Sequence, residues 1–203
     1  MSIEKFNVKE FFVYVLKACI IYGIISIGFS FIGTFLEGAE SQDSPLENSG
    51  FNFEHLSSHV LWGVIVGFAS VSLRYLMLAG VFPIIMDFDH LVGFVEIDAI
   101  ARMTHSIPFA IIAPFLMMGI LGKKDYMLGI ISFALVFSHM SLDIFYGTGD
   151  FPIFAPFSSE IFYFYGYDWI GFQIIAIISV VIIVLYTRKI QNRKKSDIRN
   201  SRS

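Results

Sequence analysis

Charge is what this chain has least of. Only 15% of its 203 residues are Asp, Glu, Lys or Arg, where soluble domains carry about 25%. A soluble fold of this length needs a polar exterior, and too few charges are present to make one. Cysteine is nearly absent too. Cys19 stands alone, which excludes an intrachain disulfide and a cysteine-based zinc cluster. It lies inside an apolar run and reads as a small buried hydrophobe. The chain has no phosphate-binding glycine loop, no dinucleotide fingerprint and no nucleophilic-serine elbow. No internal repeat is detectable, and nucleic acid is not expected as a partner.

What the chain does have is apolar surface. Hydrophobic residues make up 56% of it, the mean hydropathy is +0.70, and the surplus comes in long runs such as 11–36 and 170–186. A helix crosses a bilayer with about 20 such residues. The fold class is therefore all-α: a polytopic membrane bundle of five to six apolar segments, read as four long transmembrane helices plus a short helical hairpin. Lys5 and Lys9 precede the first run as in a signal peptide. The run continues to Leu36, past the roughly 7–15 apolar residues of a cleavable signal, and reads as a retained anchor. The expected organisation is an anchor over 1–36 and an acidic external loop over 37–57, which holds Glu37, Glu40, Asp43, Glu47 and Glu54. A membrane-embedded domain over 58–187 and a basic cytoplasmic tail over 188–203 complete it.

Residues 59–86 decide the architecture. As one straight helix they would span about 42 Å and put His59 and Asp87 on opposite faces of the membrane. Broken near Arg74, they form a hairpin whose arms of about 20 Å return both ends to one side. A charge at mid-membrane costs about 2.5 kcal/mol or more, whereas Arg74 at a hairpin tip can reach water or headgroups. Cytoplasmic flanks are enriched in Lys and Arg. With the hairpin, every lysine and arginine except Arg74 and Arg102 falls on one side. Both termini are then cytoplasmic, in a plasma-membrane protein whose other face carries the acidic loop.

On that outer side the hairpin topology gathers the ionisable groups. His59 opens the first arm and Asp87-Phe88-Asp89-His90 closes the second. Arg102, Thr104, His105 and Ser106 precede the third segment, and His139 and Asp143 end the fourth. His139 and Asp143 are four positions apart, hence on one helical face; Arg102 and His105 share a face if their helix begins early. Any one such residue can serve simply as an interhelical hydrogen-bonding group. Their arrival from separate elements at one level favours a site. Imidazoles with carboxylates suit a divalent metal, zinc first, with manganese or iron as alternatives. The expected ligands are Asp87, His105, His139 and Asp143, then His59, with His90 in reserve. Asp89 fits a proton acceptor, Arg102 a stabiliser of negative charge, and Thr104 and Ser106 hydrogen bonds to ligands or substrate.

The blocks Phe82-Pro83-Ile84-Ile85-Met86-Asp87-Phe88-Asp89-His90, Arg102-Met103-Thr104-His105-Ser106 and Ser138-His139-Met140-Ser141-Leu142-Asp143 follow one another in that order. This series resembles the YdjM-type family of membrane-bound metal-dependent hydrolases. The resemblance covers about residues 59–157, with His59 ahead of the blocks and Gly147, Pro152 and Pro156 behind them. The family's Pro before the first Asp is Met86 here, with Pro83 three residues earlier. The run 11–36 lies outside the shared region. A fainter likeness links the His139–Asp143 pair to the zinc-binding helix of zinc-dependent phospholipases C. The resemblance implies metal-activated water attacking a phosphoester or lipid-like substrate in the bilayer. The other readings are a non-catalytic metal-binding or transport protein, and a structural bundle. The aromatic-rich stretch 145–169 reads first as an interfacial belt, or else as a groove for acyl chains beside the site.

Overall fold

A computed structural model describes residues 7–39, 53–88, 90–91, 97–122 and 124–200. Among them six α-helices follow in order: α1 Val8–Ile32, α2 Phe53–Phe68, α3 Leu73–Met86, α4 Ile107–Leu121, α5 Tyr126–Tyr146 and α6 Asp168–Asn200. The only paired strands described are β1 Asp150–Phe151 and β2 Phe162–Tyr163. They run antiparallel, with Asp150 opposite Tyr163 and Phe151 opposite Phe162. Three helices, α1, α5 and α6, are long and apolar enough to cross a membrane, and α3 and α4 are shorter apolar helices. At 15 residues, α4 is about 22 Å long. It starts late because the chain from Ala101 to His105 turns outside the helix.

The hairpin exists, and its bend falls at residues 69–72, just before Arg74, which sits in the first turn of α3. Val71 adopts a φ of 53° there, a left-handed conformation that β-branched residues rarely take. The two arms pack antiparallel through small residues: Gly63 and Gly67 of α2 face Ala79, and Gly80 faces Val60 and Val64. Pro83 inside α3 has no N–H for the Ala79 carbonyl four residues back, and Gly63 lies against that same carbonyl. Without a Cβ at position 63, α2 can approach this close.

Asp125 ties the bend to the rest of the bundle. Its carboxylate caps the start of α5 by accepting from Leu128 N at 3.0 Å. It also accepts from Tyr75 Oη at 2.6 Å and from Tyr14 Oη of α1 at 2.8 Å. The Arg74 guanidinium lies 4.4 Å from the centre of the Tyr14 ring. The bend, the start of α1 and the start of α5 therefore share one end of the bundle. The C-terminal half of α6 heads the same way, since Ser141 bonds Trp169 and Phe137 meets Phe172.

The first apolar run, read from sequence as a retained anchor, forms α1, which is packed into the bundle. The Tyr22 ring stacks on Phe82 of α3 at 4.2 Å, and Ser26 Oγ donates to the Met86 carbonyl at 3.1 Å. Gly33 lies against Ile100 and Met103.

Gly63→Ala is expected to lower stability by about 1–3 kcal/mol, because the added methyl forces α2 and α3 apart. Thermal unfolding in detergent measures this against Gly28→Ala, a position with nothing within 4 Å of the added carbon. Equal melting temperatures for the two variants would dismiss the close hairpin contact.

Candidate metal centre

The hairpin brings both of its ends to the face opposite Asp125, and the ionisable residues meet there. His59 sits near the start of α2, and Asp87 caps the end of α3. His105 closes the turn before α4, while His139 and Asp143 lie in the last two turns of α5. All five are buried: His59 and His105 at 0%, His139 at 1%, Asp143 at 2% and Asp87 at 5% exposure.

Asp143 is the hub. Its Oδ1 lies 3.3 Å from His59 Nε2 and 3.8 Å from His55 Nε2. Its Oδ2 lies 3.2 Å from His105 Nε2 and 3.5 Å from His139 Nε2. Asp87 Oδ1 is 3.1 Å from His139 Nε2. The His59 and His139 rings stack at 3.9 Å, 12° from parallel. Three sets of ligand atoms come close enough to hold an ion: His55, His59 and Asp143; His59, Asp87 and His139; and His105, His139 and Asp143.

The donor set fits a divalent metal. Imidazole nitrogen with carboxylate oxygen is the ligand chemistry of zinc and its neighbours. Asp87 Oδ2 and His59 Nδ1 are buried with no hydrogen-bond partner among the described residues. An unsatisfied buried carboxylate oxygen is costly, and coordination would satisfy it.

Arg102 holds the lid of this centre. The turn Ala101–Thr104 places it at φ 57°, so the early helix start that would align it with His105 does not occur. Its Nη2 donates to Asp143 Oδ2. Its Nη1 donates to the Thr148 carbonyl at 2.6 Å and to Asp150 Oδ1 at 3.1 Å. The guanidinium also lies 4.6 Å from the centre of the Phe151 ring, which stacks on His105 at 5.5 Å. Gly147, at φ 87°, ends α5 in the left-handed conformation that glycine tolerates. Thr148 then turns back to donate from its backbone N–H to the Asp143 carbonyl at 2.9 Å.

The remaining residues named from sequence are placed as follows. Thr104 Oγ1 is 3.3 Å from His105 Nδ1 and is set to orient that ring. Ser106 caps α4, accepting from Phe109 N at 3.3 Å. The His90 ring lies 6.4 Å from that of His105, and His90 belongs to none of the three ligand sets. Asp89 falls outside the described residues. His55 is the residue that sequence reasoning missed. It precedes His59 by four positions on one face of α2, and the two Nε2 atoms are 2.8 Å apart.

A helical membrane bundle with a buried histidine–carboxylate centre near one end is thus the class of protein that fold and site define. The YdjM inner membrane protein family matches residues 54–199. The chain belongs to that family, and α1 lies outside the matched region. Neither a curated protein nor a solved structure matches the chain.

Removing one member of a buried ion pair costs about 3–5 kcal/mol. Arg102→Met is expected to destabilise the chelator-treated protein by that amount in a denaturation series. Asp150, 56% exposed, should lose less than about 1 kcal/mol on Asp150→Asn. Equal losses in the two variants would argue against the buried pair as the main restraint.

Proposed function

We propose that this protein is a membrane-embedded, metal-dependent hydrolase acting on a phosphoester or lipid-like substrate. The observation that carries the proposal is the convergence of buried imidazoles from α2, α5 and the turn before α4 on the two oxygens of Asp143, with Asp87 of α3 beside His139. His59, Asp87, His105, His139 and Asp143 would hold the ion, with zinc the first choice and manganese or iron the alternatives. When bound, such an ion acts as a Lewis acid and makes water nucleophilic near neutral pH.

The chain's own residues have definable tasks around it. Arg102 fixes Asp143 through Nη2, while its Nε is buried with no hydrogen-bond partner among the described residues. That N–H is a donor for an anionic substrate oxygen. Thr104 orients His105, and Phe151, stacked on that ring, walls the site off from water. Asp89 is assigned the proton-accepting role on sequence grounds alone, with His90 as a supporting group.

The lipid part of the proposal draws on the loop that covers the site. Phe157, Tyr163, Tyr165 and Tyr167 are exposed there, an aromatic surface suited to the lipid–water interface. Lys9, Lys17, Lys124 and, on the far part of α6, Arg188, Lys189 and Arg193 lie toward the Asp125 end, which supports cytoplasmic termini and a site facing outward. Transport is less well supported. Between the two ends the core is filled largely by Leu78, Phe82, Phe109 and Leu135, and among the described residues no buried Asp, Glu, His, Lys or Arg lies outside the centre.

Elemental analysis of the detergent-purified full chain tests this directly. Near-stoichiometric zinc, manganese or iron is expected, and His139→Ala and Asp87→Ala should each abolish it. Hydrolysis of phosphodiesters and phospholipids by the metal-loaded protein should fall with the metal. No bound ion after reconstitution with all three metals would end the hydrolase reading.

A further inference from the structure

We propose that the centre is built for two metal ions, with Asp143 as the carboxylate that bridges them. This rests on the metal-dependent reading above and concerns how many ions the ligands serve. The division runs between the two carboxylate oxygens. Oδ1 faces the α2 pair, with His59 Nε2 at 3.3 Å and His55 Nε2 at 3.8 Å, and those two nitrogens are 2.8 Å apart. Oδ2 faces the other pair, with His105 Nε2 at 3.2 Å and His139 Nε2 at 3.5 Å. Ligands held about 2.1 Å from a tetrahedral ion lie about 3.4 Å from one another. The four nitrogens lie 3.2–3.8 Å from the Asp143 oxygens, around that spacing, while the His55 and His59 nitrogens are closer to each other, at 2.8 Å.

The two sets overlap only at Asp143. His55 appears with His59 and Asp143, and His105 appears with His139 and Asp143, while the two share no set among the described residues. Asp87 meets the second set at one member, its Oδ1 lying 3.1 Å from His139 Nε2. It also belongs with His59 and His139, so it stands between the two positions. The Arg102 contact at Oδ2 does not displace an ion, because a carboxylate offers about four lone-pair sites. Nine-tenths burial of Asp87, with Oδ2 lacking a hydrogen-bond partner among the described residues, is the expected state of a second carboxylate ligand.

Ions bridged by one carboxylate sit about 3.5–4 Å apart, a spacing used to stabilise both the entering and the departing oxygen of an in-line phosphoryl displacement. The pairing therefore favours, within the proposed substrate class, phosphoesters over other lipid-like esters.

The experiment is a Mn(II) titration of the full chain in detergent after chelator stripping, read by elemental analysis and by electron paramagnetic resonance. Two ions per chain with an exchange-coupled spectrum are expected. His55→Ala, at a partly exposed position, should take the protein to one ion and an uncoupled spectrum. His105→Ala should do the same from the other side. Saturation at one ion in the wild type would overturn the pair while leaving the metal-dependent reading in place. Two ions persisting in both variants would overturn this ligand assignment. No ion in any form would overturn both readings.

Discussion

A carboxylate buried near the end of a membrane helix costs several kcal/mol unless its partners are buried with it. Asp143 is such a group, and much of the architecture at that end follows from surrounding it. Imidazoles reach it from α2, from the turn before α4 and from α5 itself, and a guanidinium closes the ring. Apart from the two helical pairs and the Arg102–His105 turn, these groups are far apart in sequence. The backbone must therefore deliver them from distant points, and the hairpin is the means. Its glycine contact sets how close α2 comes to α3, and so how close His59 comes to Asp87 and Asp143.

The opposite end solves the same problem in reverse. Asp125 is only half sheltered, and it uses two tyrosine hydroxyls and a helix N-terminus to hold three helices. The two carboxylates bracket the bundle, with apolar packing between them. That arrangement gives the short helices α3 and α4 defined depths, because each has a polar anchor beside its end.

Much of this was legible beforehand, for a physical reason. His59, Asp87, His105, His139 and Asp143 each interrupt or terminate an apolar run, so each is conspicuous, and the charge rule folds the chain so that they meet. His55 was less visible. It lies in the stretch taken for the acidic loop, yet its four-residue spacing to His59 is the same signal that paired His139 with Asp143. The internal bonds of Arg102 were not legible at all. They depend on a left-handed backbone at Arg102 and on a turn at Gly147–Asp150, neither of which leaves a period in the sequence. The hairpin bend was legible near Arg74 from the cost of a charge at mid-membrane, although residues 69–72 contain no glycine or proline to mark it. The run 11–36 reads as a retained anchor, and apolar periodicity says nothing about its partners. The stack of Tyr22 on Phe82 is visible only in three dimensions.

The order in which the ligands occur along the chain also bears on biogenesis. During synthesis α2 and α3 enter the membrane carrying His55, His59 and Asp87 well before α5 supplies His139 and Asp143. Until then the hairpin has helix-packing partners in α1, and its two histidines have each other but not the Asp143 carboxylate. The centre can close only after five of the six helices have been made. A chain interrupted before that point would carry only part of the ligand set.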